Sequence, residues 1–353
     1  MIKYHNKSEK YIITGGSGFI GTNLIKFLLS KKKNIKIISL DKISYASNNY
    51  LLKKKQNNIV TKKINIKDRV KLDRLINSFK PNKIIHLAAE SHVDRSIENP
   101  FGFINENITA TLNILTCTLN YYKKIKKKNN FNFFYIGTDE IYGDLKIKSK
   151  KRFSANSKIN PGNPYSASKA SCYHIVKSFE KTYGLPSTYI NFCNNFGEFQ
   201  FPEKLIPKTI LSILNNKPIH IYGNGLQIRN WIYVKDTVSK ISKILHYKKK
   251  KSVFNVSSNF ELNNISIVKM IHKILLNIKK KENVKNLKIK FVKDRPGHDL
   301  RYSLVDNTFE KKTIYTQKIF YEKLTKVVEW YLKKNNLKYF NNTKNFHIRR
   351  GLK

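Results

Sequence analysis

The stretch YIITGGSGFIG, residues 11–21, decides the fold of this chain. An apolar segment runs into Gly15, Gly18 and Gly21, and a helical pattern begins at Phe19. A strand that enters a helix through spaced glycines is typical of the first unit of a dinucleotide-binding sheet. A lone glycine motif would also fit an ordinary turn, but here a pyrophosphate can lie against the free N–H groups of the helix N-terminus. We therefore predict cofactor contacts from Gly15, Gly18, Phe19, Ile20 and Gly21.

The end of the second predicted strand supports this interpretation. Asp41 follows Gly21 by twenty residues, and a carboxylate there accepts hydrogen bonds from the adenosine ribose and repels a 2′-phosphate. This favours NAD over NADP as cofactor, although Lys42 follows directly and would offset part of the repulsion. The alternative role for Asp41 is that of a helix N-cap or turn residue.

Strand and helix patterns alternate over the first 193 residues, which is typical of a parallel sheet covered by helices. We predict an α/β fold, a Rossmann-type doubly wound parallel sheet built from six such units. The strands are expected at Tyr11–Thr14, Lys36–Asp41, Asn58–Ile66, Lys83–Ala88, Asn132–Thr138 and Ser187–Cys193. The helices are expected at Phe19–Ser30, Arg69–Phe79, Phe103–Lys124 and Tyr165–Tyr183.

Three regions are expected along the chain. Residues 1–193 form the NAD-binding domain, and residues 194–337 form a smaller C-terminal mixed α/β lobe that binds substrate, with some interleaving of the chain. Residues 338–353 form a basic tail, rich in Asn, Lys and Arg, that we expect to be poorly ordered.

The composition limits the classes of function. The formal net charge is +46, which is typical of nucleic-acid-binding proteins, but the lysines are spread along the chain beside many Asn and Ile residues. We expect a field that attracts anionic nucleotides and no specific nucleic-acid partner. No apolar run of eighteen residues occurs, so no membrane span is expected. Cys117, Cys172 and Cys193 have no disulfide or zinc spacing, which favours a reducing, cytoplasmic setting.

A candidate redox centre lies in the segment YSASK, residues 165–169. On a helix, Tyr165 and Lys169 lie on one face. The phenol, with an ordinary pKa of about 10, would become a better base beside an ammonium and a positively charged nicotinamide ring. Thr138, at the end of the preceding strand, could contact the same substrate oxygen. A surface helix pair is the alternative reading of Tyr165 and Lys169.

Several blocks together resemble the extended short-chain dehydrogenase/reductases, and more narrowly the dTDP-glucose 4,6-dehydratase family. The resemblance covers Tyr11 to about Leu332. It rests on TGGSGFIG at 14–21, HLAAESHVDRS at 86–96, TDEIYGD at 138–144, PYSASKA at 164–170, FPEKLIP at 201–207, QIRNWIYV at 227–234 and DRPGHD at 294–299.

The triplet Thr138-Asp139-Glu140 is the most informative of these blocks. Elimination of water across C5 and C6 of a sugar needs a base for the C5 proton and an acid for the departing hydroxyl. The resemblance implies that Glu140 is the base and Asp139 the acid, with Asp139 protonated at working pH. The alternative is that both residues only cap the next element.

The resemblance also implies further contacts and partners. It implies a tightly bound NAD that is regenerated in each cycle. It implies a product that is a precursor of rhamnose-type deoxysugars. It also implies a homodimer formed through two helices per subunit. The implied cofactor contacts also include Asp41, Lys42, Ser44, Asn65, Ile66, Leu87, Ala88, Ala89, Ser91, Tyr165, Lys169 and Asn195. The implied substrate contacts are Ser91, Thr138, Asn194, Lys204, Leu205, Tyr222, Arg229, Asn264, Arg295 and His298. No metal site is expected.

Some positions depart from the family pattern. Asn65-Ile66 replaces the usual Asp-Ile pair near the adenine, Glu106 replaces a small hydroxyl residue near the cofactor, and residues 146–160 are shorter and more basic than usual. These departures bear on cofactor affinity. Three rival functions stay open: 4,6-dehydration of UDP-glucose or another nucleotide sugar, 4-epimerisation of a UDP-sugar, and non-catalytic binding of NAD or nucleic acid.

Overall fold

The computed structural model describes residues 9–32, 34–48, 50–51, 57–126, 128–247, 252–278, 286–306, 308–309 and 314–333. The strands are β1 Glu9–Thr14, β2 Ile35–Asp41, β3 Ile59–Lys63, β4 Lys83–His86, β5 Asn132–Ile136, β6 Ser187–Phe192, β7 Asn194–Phe196, β8 Ile219–Tyr222, β9 Ile228–Tyr233, β10 Val253–Val256, β11 Glu261–Asn263 and β12 Ile289–Val292. The α-helices are α1 Phe19–Lys31, α2 Arg69–Phe79, α3 Val93–Glu98, α4 Pro100–Ile104, α5 Ala110–Lys124, α6 Pro164–Tyr183, α7 Leu205–Leu214, α8 Val234–Ile244, α9 Asn264–Ile278 and α10 Gln317–Leu332.

The central sheet is parallel throughout and has the strand order β10-β6-β5-β4-β1-β2-β3. The strand order reverses between β1 and β4, and a crevice opens there at the carboxyl ends of the strands, where such sheets bind ligands. The strands are rich in buried Ile, Leu, Phe and Tyr because helices cover both faces. The doubly wound parallel fold is confirmed.

The sheet has seven strands, whereas the sequence predicted six. The additional strand, β10, pairs with β6 in parallel register, Phe254 opposite Ile190. It lies about sixty residues beyond β6 in the chain, so its short VFNV segment gives no local sign of belonging to this sheet. Helix α8 also returns to the large domain and packs against α1.

The smaller lobe contains two short sheets, β11-β9-β7 and the parallel pair β12-β8. Helices α7, α9 and α10 pack together beside them. The division at residue 193 stays a prediction, with the return of α8 and β10 as the interleaving that it includes. The predicted disordered tail, residues 338–353, lies outside the described residues.

The predicted helix Phe103–Lys124 is interrupted. A π-helical turn at Asn105–Thr109 separates α4 from α5. Such turns insert an extra residue into a helix and often lie at functional sites. Here the turn places Glu106 at the edge of the crevice.

Two further expectations are met within the described residues. Cys117, Cys172 and Cys193 are free and buried. Among the helices that the structure describes, none combines the length and apolar character that crossing a membrane requires.

Candidate active site

Two cavities meet at the crevice. One, of about 270 Å³, lies over the carboxyl ends of β1, β2 and β4, and we call it the cofactor cavity. The other, of about 460 Å³, lies between the large domain and the smaller lobe, and we call it the substrate cavity. Both cavities are lined by Tyr45, Ser91, Gln200, Phe201, Glu203 and Lys204. The two cavities therefore adjoin each other at these six residues.

The glycine turn fits a dinucleotide. Gly15 has φ of 69°, and a Cβ there would lie 2.8 Å from Ala88 N. A Cβ on Gly21 would lie 2.2 Å from Gly15 O, so this glycine lets α1 pack on the turn. Gly18 is the N-cap residue of α1, which has no side-chain capping hydrogen bond and no acidic residue in its first turn. Its first N–H groups are thus available to an anion such as a pyrophosphate.

Asp41 organises the adenosine end of the cofactor cavity. Its buried carboxylate accepts hydrogen bonds from Ser17 N at 3.0 Å, Ile43 N at 2.8 Å and Ser47 Oγ at 3.0 Å. It therefore ties the glycine turn to the loop that follows β2. Two oxygens have about four lone-pair sites, so one remains for a ribose hydroxyl.

The predicted cofactor contacts assemble around this cavity. Its lining includes Gly15, Gly18, Phe19, Ile20, Gly21, Asp41, Lys42, Ser44, Asn65, Ile66, Leu87, Ala88, Ala89, Ser91, Tyr165 and Lys169. Asn195 is the exception and lines the substrate cavity instead. Its side chain is held there because Nδ2 donates to Cys193 O at 3.0 Å and Oδ1 accepts from Thr237 Oγ1 at 2.6 Å.

The redox pair lies on α6 at the inner end of the cofactor cavity. Lys169 Nζ donates to Ile136 O at 2.8 Å, and burial lowers the pKa of this lysine to about 8. The sequence predicted that the pKa of Tyr165 is lowered. Within the protein alone, burial and the Glu140 charge raise it, while a hydrogen bond with Thr138 lowers it. An activated phenolate therefore requires the positive charge that an oxidised nicotinamide supplies.

The two adjacent carboxyl groups occupy different environments. Asp139 is 1% exposed, and burial, together with the Glu140 charge, raises its pKa well above the ordinary value. Its Oδ2 is buried and has no hydrogen-bond partner among the described residues. Glu140 opens into the substrate cavity. Burial raises its pKa too, but the charges of Arg295, Arg229 and Lys204 oppose the rise.

The difference between these environments has a chemical consequence. Burial and the Glu140 charge favour the protonated, donating form of Asp139, whereas three nearby cations oppose the effect of burial on Glu140 and favour its carboxylate. Pairs of titratable groups with divergent pKa values are typical of acid–base catalysis.

The predicted substrate contacts line the substrate cavity, apart from Thr138, which lies behind it beside Tyr165. The lining includes Ser91, Asn194, Lys204, Leu205, Tyr222, Arg229, Asn264, Arg295 and His298. Burial and the charges of Arg295 and Arg229 lower the pKa of His298 to about 4, although Asp294 opposes this. At neutral pH His298 is therefore an uncharged hydrogen-bonding group.

Asp94 is a residue that sequence reasoning missed. It accepts a hydrogen bond from Arg295 Nη1 at 3.1 Å and another from the Tyr222 hydroxyl at 2.5 Å. It thus orients two of the predicted substrate contacts. Asp94 lies inside the block HLAAESHVDRS, but its partners are more than a hundred residues away, so only the folded chain reveals its role.

Three further residues were missed at the junction of the cavities. The Arg95 guanidinium lies 3.7 Å from the centre of the Tyr45 ring, and its Nη2 lies 3.6 Å from Glu203 Oε2. The Tyr45 hydroxyl donates to Glu203 Oε1 at 3.4 Å. These contacts join the loop after β2 to helix α3 and the segment before α7.

Comparisons with known proteins agree with this geometry. The profile of the GDP-mannose 4,6 dehydratase family matches residues 12–328. The dTDP-glucose 4,6-dehydratase of Haemophilus influenzae is 39% identical, over 91% of this chain and 97% of its own length. The dTDP-glucose 4,6-dehydratase 1 of Escherichia coli K12 is 37% identical, over 95% of each chain.

Solved structures show the same architecture. The dTDP-glucose 4,6-dehydratase of Bacillus anthracis in complex with NAD superposes with a TM-score of 0.81 and 30% identity, covering 95% of this chain and all of that one. The Thermus thermophilus UDP-glucose 4-epimerase, also complexed with NAD, has a TM-score of 0.79 at 20% identity, covering 92% of this chain and 99% of its own. That second likeness shows the fold alone.

Proposed function

Since the chain belongs to the GDP-mannose 4,6 dehydratase family, within the extended short-chain dehydrogenase/reductases, we propose that it converts dTDP-glucose to dTDP-4-keto-6-deoxyglucose and water. Its relatives of 37–39% identity carry this activity in their names. The observation that carries the proposal is the pair Asp139 and Glu140, one buried as an acid and the other open to the substrate cavity as a base. A 4-epimerase has no elimination step and needs no such pair.

NAD is the resident cofactor. The glycine turn, the uncapped N-terminus of α1 and Asp41 fit a dinucleotide that lacks a 2′-phosphate. Bound there, NAD would supply a hydride acceptor for C4 of the sugar and a hydride donor for C6. The cavity therefore regenerates its cofactor within one cycle.

The side chains of the site carry the protons. Tyr165 takes the proton of the C4 hydroxyl, and Thr138 contacts the same oxygen. Lys169, four residues along α6, is the buried cation in the lining of the same cavity. The resulting C4 ketone acidifies the C5 proton, which Glu140 removes. Asp139 gives its proton to the departing 6-hydroxyl, so that water leaves. Glu140 then returns its proton to C5 as the hydride is added at C6, and transfer of one proton from Tyr165 to Asp139 through solvent restores the starting protonation states.

The substrate cavity supplies the binding charges. Arg229 and Arg295 face an anionic diphosphate, and Lys204 lies where the two cavities join. A guanidinium can bind phosphate oxygens through two parallel hydrogen bonds. Binding energy from the nucleotide end then holds C4, C5 and C6 against the groups at the ends of β5 and α6.

The substrate assignment has a direct test. Purified protein is incubated with dTDP-glucose, and the alkaline absorbance of a 4-keto-6-deoxy sugar is measured. UDP-glucose serves as the matched substrate, and we expect a lower kcat/KM for it. A product from UDP-glucose alone would reassign the base preference, and no product from either sugar would reject the dehydratase function.

We also propose a homodimer, formed through α4, α5 and α6. Phe101, Ile104 and Leu112 are apolar and exposed, at 77%, 47% and 43%, on α4 and α5, and Tyr183 is 51% exposed at the end of α6. Burial of such a stripe against a second copy would supply the driving force. Phe101→Asp should produce a monomer in light scattering at micromolar concentration. A wild-type protein that is itself monomeric there would reject the proposal.

The remaining predictions concern the cell. A cytoplasmic location is proposed because all three cysteines are free and buried. The absence of a specific nucleic-acid partner also stays a prediction. Binding of nucleic acid that persists at physiological salt would contradict it.

A further inference from the structure

The adenosine end of the cofactor cavity contains an ion-pair network that the proposed reaction does not use. Lys42 lies beside Asp41 in the chain and is the residue that would attract a 2′-phosphate. Its Nζ is bound by Glu90 Oε1 at 2.9 Å and by Glu106 Oε2 at 2.8 Å. The ammonium is therefore already paired with two carboxylates.

One short turn positions both carboxylates. Glu106 lies in the π-helical turn between α4 and α5. In the same turn, Asn107 Oδ1 accepts from Glu90 N at 2.8 Å, and Asn107 Nδ2 donates to Glu90 O at 3.1 Å. The backbone of Glu90 is thus fixed by the residue next to Glu106. Glu106 also forms an ion pair with Lys67.

The charges of this network do not cancel. Asp41, Glu90 and Glu106 contribute three negative charges, and Lys42 and Lys67 contribute two positive ones. Burial opposes the charge of Lys42, but its bonds to Glu106 and Glu90 outweigh burial and raise its pKa. Burial likewise opposes the charge of Glu106, and its bonds to Lys42 and Lys67 lower its pKa. Both shifts favour the ionised forms of Lys42 and Glu106 at neutral pH.

We propose that Glu106, together with Glu90, sets the preference for NAD over NADP by holding Lys42 in ion pairs. Without these ion pairs, the positive charge of Lys42 beside Asp41 could neutralise a 2′-phosphate. With Lys42 occupied, the network of Asp41, Glu90, Glu106, Lys42 and Lys67 has one more negative than positive charge, and this excess repels that phosphate. This inference rests on the proposed function, because it requires NAD to occupy the cofactor cavity.

Competition between the two cofactors tests the proposal without turnover. The holoenzyme is equilibrated with NAD and an excess of NADP and passed through a gel-filtration column. The bound nucleotides are then released by denaturation and quantified by chromatography. In Glu106→Gln the bound NADP:NAD ratio should rise about tenfold, because one unit charge at ion-pair distance is removed from a half-exposed site. Glu90→Gln should raise the ratio in the same direction and provides a second, independent variant.

The increase in the bound NADP:NAD ratio must depend on Lys42. Adding Lys42→Met to Glu106→Gln should return the ratio to the wild-type value. Asp68→Asn removes the carboxylate of the α2 N-cap residue, which forms an ion pair with Lys71 at 2.9 Å, and should leave the ratio unchanged. An unchanged ratio in both Glu106→Gln and Glu90→Gln, or a gain that survives Lys42→Met, would overturn the proposal. Wild-type protein that retains neither nucleotide would reject NAD as the resident cofactor instead.

Discussion

The cofactor cavity and the substrate cavity adjoin each other but are built in different ways. The cofactor cavity is lined mainly by short segments at the carboxyl ends of adjacent strands, with Gly15, Asp41 and Ala88 following or ending β1, β2 and β4. The substrate cavity is formed by side chains from distant parts of the chain, as in the pair of Asp94 and Arg295, 201 residues apart. Local motifs therefore specify the first cavity, whereas the second exists only in the folded chain.

The cavities also differ in charge. The described lining of the substrate cavity has five cationic residues, Arg95, Lys204, Lys208, Arg229 and Arg295, and three acidic ones, Asp94, Glu140 and Glu203. The described lining of the cofactor cavity has three cationic residues, Lys42, Lys169 and Lys204, and four acidic ones, Asp41, Glu90, Glu106 and Glu203. In a chain of net charge +46, the acidic lining of the cofactor cavity is thus a local feature of the site.

The largest expected effect is the loss of the base at the floor of the substrate cavity. In Glu140→Gln the amide cannot accept the C5 proton, so turnover and exchange of that proton with solvent should slow by about 10²–10⁴-fold. Mass spectrometry of product formed in D₂O measures the exchange. Glu180→Gln, a partly exposed carboxylate that pairs with Lys177 on α6, serves as the control. Exchange at the wild-type rate in Glu140→Gln would remove this residue from its role.

A smaller effect is expected from the pair that orients the binding groups. Asp94→Asn removes the charge that holds Arg295 and weakens the bond from the Tyr222 hydroxyl. We expect KM for dTDP-glucose to rise by about tenfold to a hundredfold, with a smaller change in kcat, because a partly buried charged hydrogen bond is lost. Steady-state kinetics separate the two constants. A fall in kcat at constant KM would assign Asp94 to the chemistry instead.

The glycines of the cofactor cavity allow a matched test. In Gly21→Ala the new Cβ would lie 2.2 Å from Gly15 O, and the clash should lower the free energy of unfolding by about 1–3 kcal/mol. In Gly18→Ala the nearest atom is 3.2 Å away and φ is an ordinary −75°. This variant should fold but retain less NAD, because the methyl group occupies the approach of the pyrophosphate.

Thermal unfolding with and without excess NAD distinguishes the two glycines. Excess NAD should restore the unfolding midpoint of Gly18→Ala by mass action, whereas the midpoint of Gly21→Ala should stay low. Equal behaviour of both variants would show that the turn is not shaped by the ligand.

The same contrast explains what the sequence could predict. The helix Arg69–Phe79 has the predicted bounds, and β2 and β6 differ from prediction by one residue at one end, because periodic apolar patterns and capping residues are local signals. Strand β10 was missed since only its pairing with β6, about sixty residues earlier, places it in the sheet. The sequence of a four-residue segment does not indicate which distant strand it pairs with.

The site residues also differ in whether their role depends on local spacing or on contacts with distant parts of the chain. The glycine turn, Asp41 and the YSASK pair were identifiable from spacing and chemistry. Asp94 was not, because its role consists of contacts with residues far along the chain. Glu106 was recognised as a departure from the family pattern, but its ion pairs with Lys42 and Lys67 depend on a π-helical turn that no periodicity predicts.

The smallest expected effect is a shift in the pH dependence of the substrate cavity. Burial raises the pKa of Glu140, and the charge of Asp299 adds to the rise. Since the carboxylate is the active form, kcat should be at its full value above this pKa and should decrease as the pH falls through it. Asp299→Asn removes the repelling charge, lowers the pKa of Glu140 and should move the acidic limb of the kcat profile down by about half to one pH unit.

Lys204→Met provides the opposite change, because the Lys204 charge lowers the pKa of Glu140. The acidic limb should then move to higher pH. Asp299→Asn should leave the NADP:NAD ratio of the cofactor cavity unchanged, since Asp299 does not line that cavity. Limbs that move in the same direction in both variants would show that the limb reports a group other than Glu140. Opposite shifts would show that the charges of Asp299 and Lys204 tune the pKa of the base Glu140 in opposite directions.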